Sequence, residues 1–247
     1  MNLVTVIIPY FKKKLFIKET LDSVICQTYK NLEIIIVYDD TDKRDLDYIK
    51  DLLKSDKRIQ LIVNNVSLGA GASRNLGIKN SKGDYIAFID ADDLWEANKI
   101  EFQIEFMQNN NYAVTHSSYK IIDKNKNIIG KRKARNFNHL NELLKSCDIG
   151  LSSVVIKKNI LHDDCLFATL KTKEDFVFWL SLLKKNIQIK SIDNSLMYWR
   201  KLNDSLSSSV GQKLIDGFRV YNQYMKFNFF KSFYLLICLS LNFLKKK

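Results

Sequence analysis

Four short, almost continuously apolar segments divide the first ninety residues of the 247-residue chain. They run over Val4–Pro9, Leu32–Tyr38, Ile59–Val63 and Tyr85–Asp90. The segments between them repeat apolar residues at helical spacing. Strands that are apolar on both faces and alternate with amphipathic helices are typical of a parallel sheet covered on both sides. We therefore predict a doubly wound α/β unit, with ligands at the carboxyl ends of its strands.

The pattern loosens beyond residue 93. It predicts a helix over Trp95–Asn109, a hairpin of Tyr112–Ile122 with Ile128–Lys131, a helix over Glu174–Lys185, strands over Gln188–Ile192 and Leu196–Arg200, and a mostly helical Val210–Leu244. Neither a repeat nor a low-complexity linker interrupts the chain. We expect one compact domain over residues 1–210 and a helical tail over residues 211–247.

The composition excludes several classes of protein. With 46% hydrophobic and 27% charged residues, the chain can bury a sizeable core and is not of a disordered type. Its four cysteines lie far apart without a CxxC pair, which argues against a zinc site and against a disulfide-stapled domain. The first residues lack the basic start of a signal peptide.

Acidic residues follow two of the predicted strands. Asp39-Asp40 comes directly after the second strand, and Asp90-Ala91-Asp92-Asp93 comes directly after the fourth. Either cluster alone could be a solvated turn, but parallel strands place both at one edge of the sheet. Carboxylates gathered there repel each other, so a hard divalent cation is their natural partner.

Two further groups of residues carry chemistry. Lys173-Glu174-Asp175 opens a predicted helix, where its carboxylates could serve as helix caps or hold a general base. Arg74 follows Gly69-Ala70-Gly71, a pattern that lets a backbone approach a ligand and an Arg pair with phosphate oxygens. A tight turn with a solvated Arg is the simpler alternative.

Taken in order, these motifs resemble those of the non-processive members of the family 2 glycosyltransferases, which are inverting enzymes with the GT-A fold. The resemblance is dense from residue 3 to about residue 100 and thinner to about residue 205. It is carried by Val6-Ile7-Ile8-Pro9-Tyr10, Leu21-Asp22-Ser23 through Gln27-Thr28-Tyr29, Val37-Tyr38-Asp39-Asp40, Leu68-Gly69 through Ala72-Ser73-Arg74-Asn75, Gly83-Asp84 through Asp92-Asp93, and Glu174-Asp175. It implies a nucleotide-sugar half over residues 1–100 and an acceptor half over residues 101–210.

The resemblance also implies roles for single residues. Nucleotide-sugar contacts fall on Pro9, Tyr10, Asp39, Arg74, Asp90 and Ala91, with Asp39 on the nucleobase. Asp92, together with Asp90, would hold Mn²⁺ or Mg²⁺, which stabilises the leaving diphosphate. Asp175 would be the general base that takes the proton of the acceptor hydroxyl. Candidate contacts of the acceptor or diphosphate are Glu174, Arg200 and His116.

This sequence departs from the family pattern at several positions. Tyr38 stands where the family carries the first acid of the strand-end pair, and Leu202 replaces the His of a Tyr-Arg-x-His stretch. The Gln-x-x-Arg-Trp motif of processive members is absent. Arg200 could therefore contact the diphosphate or be structural, and a strand histidine such as His116 is more often structural.

Two alternatives to a glycosyltransferase are open at this point. A nucleotidyltransferase shares the sheet and the acidic site, but it needs a glycine-rich loop after the first strand, where this chain has Pro9-Tyr10-Phe11-Lys12. A nucleic-acid-binding domain would suit the net charge of +12, but the lysines are scattered and form no nucleic-acid motif.

The C-terminal segment is apolar and ends in lysines. Phe229 to Leu244 is followed by Lys245-Lys246-Lys247, and its charge-free apolar part, Phe233 to Leu244, is shorter than the roughly 20 residues that cross a bilayer. It could pack on its own domain or lie in the headgroup layer of an anionic membrane. The resemblance implies a UDP-sugar donor and a lipid-linked saccharide acceptor at the inner face of the bacterial cell membrane, in the assembly of lipopolysaccharide, O-antigen or capsule.

Overall fold

The computed structural model describes residues 2–162, 165–202 and 210–244. Within these ranges the strands are β1 (Val4–Tyr10), β2 (Leu32–Tyr38), β3 (Ile59–Val63), β4 (Tyr85–Phe88), β5 (Leu94–Trp95), β6 (Val114–Ile122), β7 (Ile128–Arg132), β8 (Val155–Lys157) and β9 (Ile189–Arg200). The helices are α1 (Lys14–Ile25), α2 (Leu46–Leu53), α3 (Ala70–Asn80), α4 (Lys99–Asn109), α5 (Leu140–Leu143), α6 (Glu174–Lys184), α7 (Val210–Arg219) and α8 (Phe229–Leu244).

The strands form one sheet in the order β3-β2-β1-β4-β8-β6-β9-β5, with β7 paired to β6. The four strands predicted in the first half are parallel to one another, as expected. Tyr10 pairs with Tyr38, and Tyr38 pairs with Val63, so the strands end together at one edge. Beyond β4 the sheet is mixed, because β8 runs antiparallel to both β4 and β6 whereas β9 runs parallel to β6.

Helices cover both faces of the sheet. Along β1, Val6 and Ile8 belong to one apolar cluster with α1, α2 and α4. Ile7, between them, points to the other face and joins a cluster with α3, α6 and the C-terminal helices. This alternation along a strand buried on both sides is the reason for its continuously apolar sequence.

Two elements differ from the sequence-based predictions. The helix predicted from Trp95 begins at Lys99, because Trp95 pairs with Met197 as part of β5 and its indole N–H donates to the carbonyl of Ser152 at 2.8 Å. The two strands predicted over Gln188–Ile192 and Leu196–Arg200 are the single strand β9, which follows β6 across two register shifts.

The C-terminal segment packs on the domain with one of its faces. A π-helical segment, Val220–Tyr224, joins α7 to α8. Leu235 and Leu239 of α8 are buried in the core, and the Tyr221 hydroxyl donates to the carbonyl of Leu144 at 2.5 Å. The lysine cluster at residues 245–247 lies outside the described residues. Among the helices that are described, none is both long and apolar enough to cross a membrane.

Candidate active site

The carboxylate of Asp39, just beyond β2, organises the loop that leads into helix α3. It accepts hydrogen bonds from the side chain of Asn64 (2.6 Å), the hydroxyl of Ser67 (3.2 Å) and the backbone N–H groups of Leu68 (2.8 Å) and Gly69 (2.7 Å). Asp39 is buried, and these four donors occupy both of its oxygens. Asp39, which the sequence predicts to contact the nucleobase, therefore holds the backbone of the loop before Arg74.

Arg74 joins the turn after strand β4 to the start of helix α6. Its Nη2 donates to Oδ1 of Asp90 at 2.7 Å, and its Nη1 donates to Oε1 of Glu174 at 2.8 Å. The guanidinium is buried and lies 5.3 Å from the centroid of the Phe167 ring. The fork geometry of an Arg suits such a bridge, since each carboxylate receives its own N–H donor. Three of the residues singled out in the sequence therefore meet directly.

Gly71 lets helix α6 approach the first turn of helix α3. A β-carbon at this position would lie 2.7 Å from the carbonyl oxygen of Ala168 and 3.1 Å from Cγ of Glu174. Only a glycine fits between these groups without a shift. The glycine-containing turn predicted to approach a ligand thus also brings Glu174 within reach of Arg74.

The two aspartates of the Asp-Ala-Asp motif are each paired with a cation. Asp92 forms an ion pair with Lys13, with 2.7 Å between Nζ and Oδ2, and Asp90 pairs with Arg74. Burial, together with the charge of Asp90, raises the pKa of Asp92. Asp90 is the more open of the two, with 38% of its side chain exposed. Ala91 between them is buried.

Arg200 lies behind this motif and fixes its backbone. Its Nε donates to the carbonyl of Asp92 at 2.8 Å, and its Nη2 donates to Glu19 at 2.9 Å. Its backbone N–H donates to Asp93, whose other carboxylate oxygen accepts from the Ser152 hydroxyl at 2.6 Å. Burial raises the pKa of Asp93 well above its usual range. Arg200 is itself buried, and in this arrangement it supports the Asp90–Asp93 turn.

Asp175 stands in the first turn of helix α6, next to Glu174. It is partly buried, and its Oδ1 accepts a hydrogen bond from the backbone N–H of Phe176 at 2.7 Å. Burial, and after it the charge of Glu174, raises the pKa of Asp175 to about 7, although Arg74 and Lys173 pull it downward. A carboxyl group that titrates near neutrality is suited to general-base catalysis.

Pro9 and Tyr10 end strand β1 beside the Asp39 loop. Pro9 is partly exposed, whereas Tyr10 is buried, stacks on Tyr38 with 5.1 Å between ring centroids, and donates its hydroxyl to Asp45 at 2.8 Å. Tyr38, which replaces the family's usual acid, donates its own hydroxyl to the carbonyl of Asp42 at 2.7 Å. The two stacked tyrosines thus connect the ends of β1 and β2 to the segment around Asp42 and Asp45.

His116 lies apart from these groups. It is buried in β6, its Nε2 lies 2.8 Å from the carbonyl oxygen of Arg135, and its ring packs on Phe137. Burial lowers the pKa of His116 to about 4, so the ring is neutral at physiological pH. These contacts are those of a structural histidine, which was the alternative open from the sequence.

The Asp90 and Asp92 carboxylates have the donor chemistry that suits a divalent cation. Each is a hard oxygen donor at the end of a strand, and each uses one oxygen for a protein cation. No cluster of three or more His, Cys, Asp or Glu residues in the described part of the chain could hold a metal by itself. Mg²⁺ typically takes one or two carboxylates and completes its shell with phosphate oxygens and water, so two carboxylates are a sufficient contribution from the protein.

Sequence reasoning missed Lys13, which contacts a site residue, and Asp216, which contacts the segment just before helix α6. Lys13 pairs with Asp92, and its position just after strand β1 was the available signal, since that strand ends at the same edge. Asp216 of helix α7 accepts hydrogen bonds from both the N–H and the hydroxyl of Thr172, close to Asp175 in sequence. No motif marks Asp216.

Comparison with known proteins identifies relatives along most of the chain. The family model "Glycosyl transferase family 2" matches residues 5–164. The Escherichia coli protein WfgD, a UDP-Glc:alpha-D-GlcNAc-diphosphoundecaprenol beta-1,3-glucosyltransferase, is 35% identical over 236 residues, which cover 95% of this chain and 91% of WfgD. WfaP, an E. coli protein of the same described activity, is 34% identical over 87% of this chain and 84% of its own length.

Solved structures share the architecture. S. aureus TarS 1-349 in complex with UDP-GlcNAc superimposes with a TM-score of 0.74 at 19% sequence identity. The match covers 90% of this chain and 65% of the TarS chain, so this chain spans about two thirds of that structure. At this identity the similarity shows the fold.

Proposed function

The chain belongs to Glycosyl transferase family 2, and on that premise we propose that it transfers a hexose from a UDP-sugar to a hydroxyl of a lipid-diphosphate-linked saccharide. Family membership and the GT-A fold confirm the expected transferase and set aside the nucleotidyltransferase and the nucleic-acid-binding domain. The observation that carries the proposal is the Asp90–Arg74–Glu174 bridge, which joins the acidic strand end to the helix that bears Asp175.

The donor lies at the carboxyl edge of β1, β2 and β4 in this proposal. Pro9 and Tyr10 line the nucleotide side, and Asp39 acts on the nucleobase through the loop that it holds. Arg74, whose guanidinium joins Asp90 to Glu174, faces the diphosphate side. A sugar diphosphate is dianionic, so binding it beside Asp90 and Asp92 requires positive charge, which Lys13 and Arg74 supply in part.

A divalent metal held by Asp92 and Asp90 would supply the remaining charge and stabilise the departing diphosphate. The protein's own contribution is to keep these carboxylates fixed: Arg200 holds the Asp92 carbonyl, and Ser152 holds Asp93. Ala91 leaves the turn small enough to approach the donor. No general acid is needed in this proposal. A diphosphate whose charge is stabilised by a cation can leave as an anion without being protonated.

Asp175 acts as the base for the acceptor in this proposal. Its carboxylate takes the proton from the attacking hydroxyl while that oxygen forms the new bond to the anomeric carbon, from the face opposite the diphosphate. The pKa of about 7 makes this carboxyl group both partly ionised at neutral pH and basic enough to accept a proton. Glu174 keeps Arg74 in place at the same time.

The acceptor class comes from the relatives and from the outer face of α8. WfgD and WfaP act on a diphosphoundecaprenol-linked sugar, so the acceptor proposed for this chain is a saccharide on a polyprenyl diphosphate in surface polysaccharide assembly. Phe230, Phe233 and Leu241 on the outer face are more than half exposed, and α8 contains no acidic residue. We place this face against the anionic inner surface of the cell membrane, where such an acceptor resides.

The test is a donor and acceptor screen with purified protein. UDP-, GDP- and dTDP-sugars are each offered with Mn²⁺ or Mg²⁺ and a synthetic GlcNAc-diphospholipid, and nucleotide release and glycosylated lipid are both measured. We expect metal-dependent transfer from a UDP-hexose, with UDP-glucose as the first candidate. The Asp175→Asn variant should be inactive, whereas Asp193→Asn, a matched change of an exposed aspartate, should be active. Absence of transfer from every UDP-sugar would contradict the proposal.

A further inference from the structure

We infer that Asp216 of helix α7 is a positioning residue for Asp175: it holds the peptide that precedes helix α6 and so fixes where the base stands. The inference rests on the proposed role of Asp175 in proton transfer. It assigns a part in the reaction to a helix that lies outside the matched family region, residues 5–164.

Asp216 is fully buried and devotes one oxygen to the start of helix α6. Its Oδ2 accepts from the backbone N–H of Thr172 at 3.0 Å, from the Thr172 hydroxyl at 3.0 Å and from Nε2 of Gln212 at 2.9 Å. Its Oδ1 lies 3.6 Å from Nη1 of Arg219, one turn further along α7. A buried carboxylate with several donors is held rigidly, because moving it would leave a charge without partners.

The residue after Thr172 shows why this anchor matters. Lys173 adopts a left-handed backbone conformation, with φ at +62°, directly before Glu174 and Asp175. A non-glycine residue keeps this conformation only where the surrounding structure determines it. The two hydrogen bonds from Thr172 to Asp216 fix one side of Lys173, and the first turn of α6 fixes the other. Asp216 thus determines the direction in which that turn begins.

The neighbouring contacts of α7 and α8 support the same arrangement. A β-carbon on Gly217 would lie 2.9 Å from Cδ1 of Leu236 and 3.7 Å from Cε of Lys173, so the two helices and the Lys173 side chain meet closely at this glycine. The Phe176 ring packs edge-on against Tyr221, with 6.1 Å between centroids. The C-terminal helices therefore contact the residues on both sides of the Glu174-Asp175 pair.

Loosening this anchor should change the environment of Asp175. The charged and titratable groups that act on its carboxyl group are Glu174 and Lys173 beside it, and Arg74 of helix α3; Cys147, from the segment after α5, also interacts with it. Burial is the largest influence on Asp175, so a first turn that opens to water would lower its pKa from about 7 toward the ordinary value.

The test compares Asp216→Ala with Asp216→Asn in steady-state transfer as a function of pH. For Asp216→Ala we expect kcat to fall about 10-fold, within the ~10²-fold that a misplacement of about 1 Å can cost. The acid limb of the kcat–pH profile should move to lower pH, and the KM for the donor should be unchanged. Asp216→Asn should recover most of the rate, because its side-chain oxygen can still accept from Thr172.

Controls separate this inference from the proposed function and from instability. Arg219→Gln removes only the 3.6 Å contact and should leave both kcat and the acid limb unchanged. If circular dichroism shows that Asp216→Ala does not fold, Thr172→Val replaces it, because this change removes one of the two hydrogen bonds. We then expect a smaller fall in kcat and a smaller shift of the acid limb to lower pH. A lower rate with an unmoved acid limb would overturn the inference alone. Full transfer activity of Asp175→Asn would overturn the proposed base and the inference with it.

Discussion

Arg74 and Glu174, 100 residues apart in the sequence, meet in a hydrogen-bonded ion pair with 2.8 Å between Nη1 and Oε1. Because the same guanidinium also holds Asp90, one buried side chain joins the turn after β4 to the first residue of helix α6. A substitution of Arg74 would therefore release both carboxylates, and it should affect both stability and catalysis.

Replacing Arg74 by Ala should lower the free energy of unfolding by about 3 kcal/mol. Removing one partner of a buried ion pair leaves an uncompensated charge, and the 38% exposure of Asp90 keeps the loss at the lower end of the usual range. Urea denaturation measures the change. Arg44→Ala is the matched control: Arg44 pairs with Asp42 but is 87% exposed, so its loss should leave the free energy of unfolding nearly unchanged. Equal losses in the two variants would contradict a stabilising bridge.

Asp92→Ala should abolish metal-dependent binding of the nucleotide sugar while the fold stays intact. Without this carboxylate, the cation loses a protein ligand, and Lys13 loses its partner. Calorimetric titration of the UDP-sugar with Mn²⁺ gives the affinity, and circular dichroism checks the fold. Asp51→Ala, a change of an exposed aspartate on α2, should bind normally. An unchanged affinity of the Asp92 variant would remove this residue from the metal site.

The rate of transfer should fall below pH 7, because protonated Asp175 cannot accept the acceptor's proton. The pKa of about 7 places the acid limb there, with a slope of one decade per pH unit for a single group.

Asp175→Asn should reduce kcat by about 10²-fold or more with nearly unchanged donor affinity. Glu174→Gln should stay active and move the acid limb to lower pH, since it removes the neighbouring charge that raises the pKa of Asp175. An inactive Glu174→Gln beside an active Asp175→Asn would identify Glu174 as the base.

The same pKa makes a prediction about stability. Between the ordinary pKa of Asp175 (3.8) and about 7, the folded protein holds a proton that the unfolded chain releases, so this group stabilises the fold at low pH and the contribution is lost as pH rises toward 7. Asp175→Asn removes the buried charge. At pH 8 its free energy of unfolding should therefore exceed that of the unmodified protein, by at most about 4 kcal/mol. The difference should shrink toward pH 4.

Much of this site could be predicted from the sequence, because its residues follow strand ends. Continuous apolar runs identified the parallel strands, and parallel strands bring Asp39 and Asp90 to one edge regardless of their distance along the chain. No such rule predicts the Arg74–Glu174 contact, because it depends on how helix α6 packs against helix α3. Asp216 could not be predicted either, as its partner Thr172 is 44 residues away and neither residue belongs to a motif.

Gly71→Ala should lower both activity and stability. The added methyl group would lie 2.7 Å from the Ala168 carbonyl and 3.1 Å from Glu174, so helix α6 must move and stretch the bond to Arg74. Overpacking of this kind costs about 1–3 kcal/mol. Gly211→Ala is the matched control, because a β-carbon there meets nothing within 4 Å and should stabilise helix α7 by up to about 1 kcal/mol. Thermal denaturation and transfer assays of both variants test this; a Gly71→Ala enzyme with full activity would contradict the close approach.

Membrane binding should depend on the outer face of α8 and not on the helix as a whole. Deleting residues 228–247 would also remove Leu235 and Leu239, which are buried in the core, so a point substitution is the sharper test. Phe230 is 82% exposed, and inserting it into a lipid interface would gain about 1.5–3 kcal/mol. Phe230→Asp should therefore weaken binding to anionic vesicles by about 10-fold or more while donor hydrolysis is unchanged. Ile128→Asp, at a 61% exposed apolar residue of β7, should bind vesicles normally. Salt should weaken binding of the unmodified protein only in part, because screening acts on the lysines and leaves the apolar contribution. If Phe230→Asp sediments with vesicles as well as the unmodified protein does, the outer face of α8 does not contact the membrane.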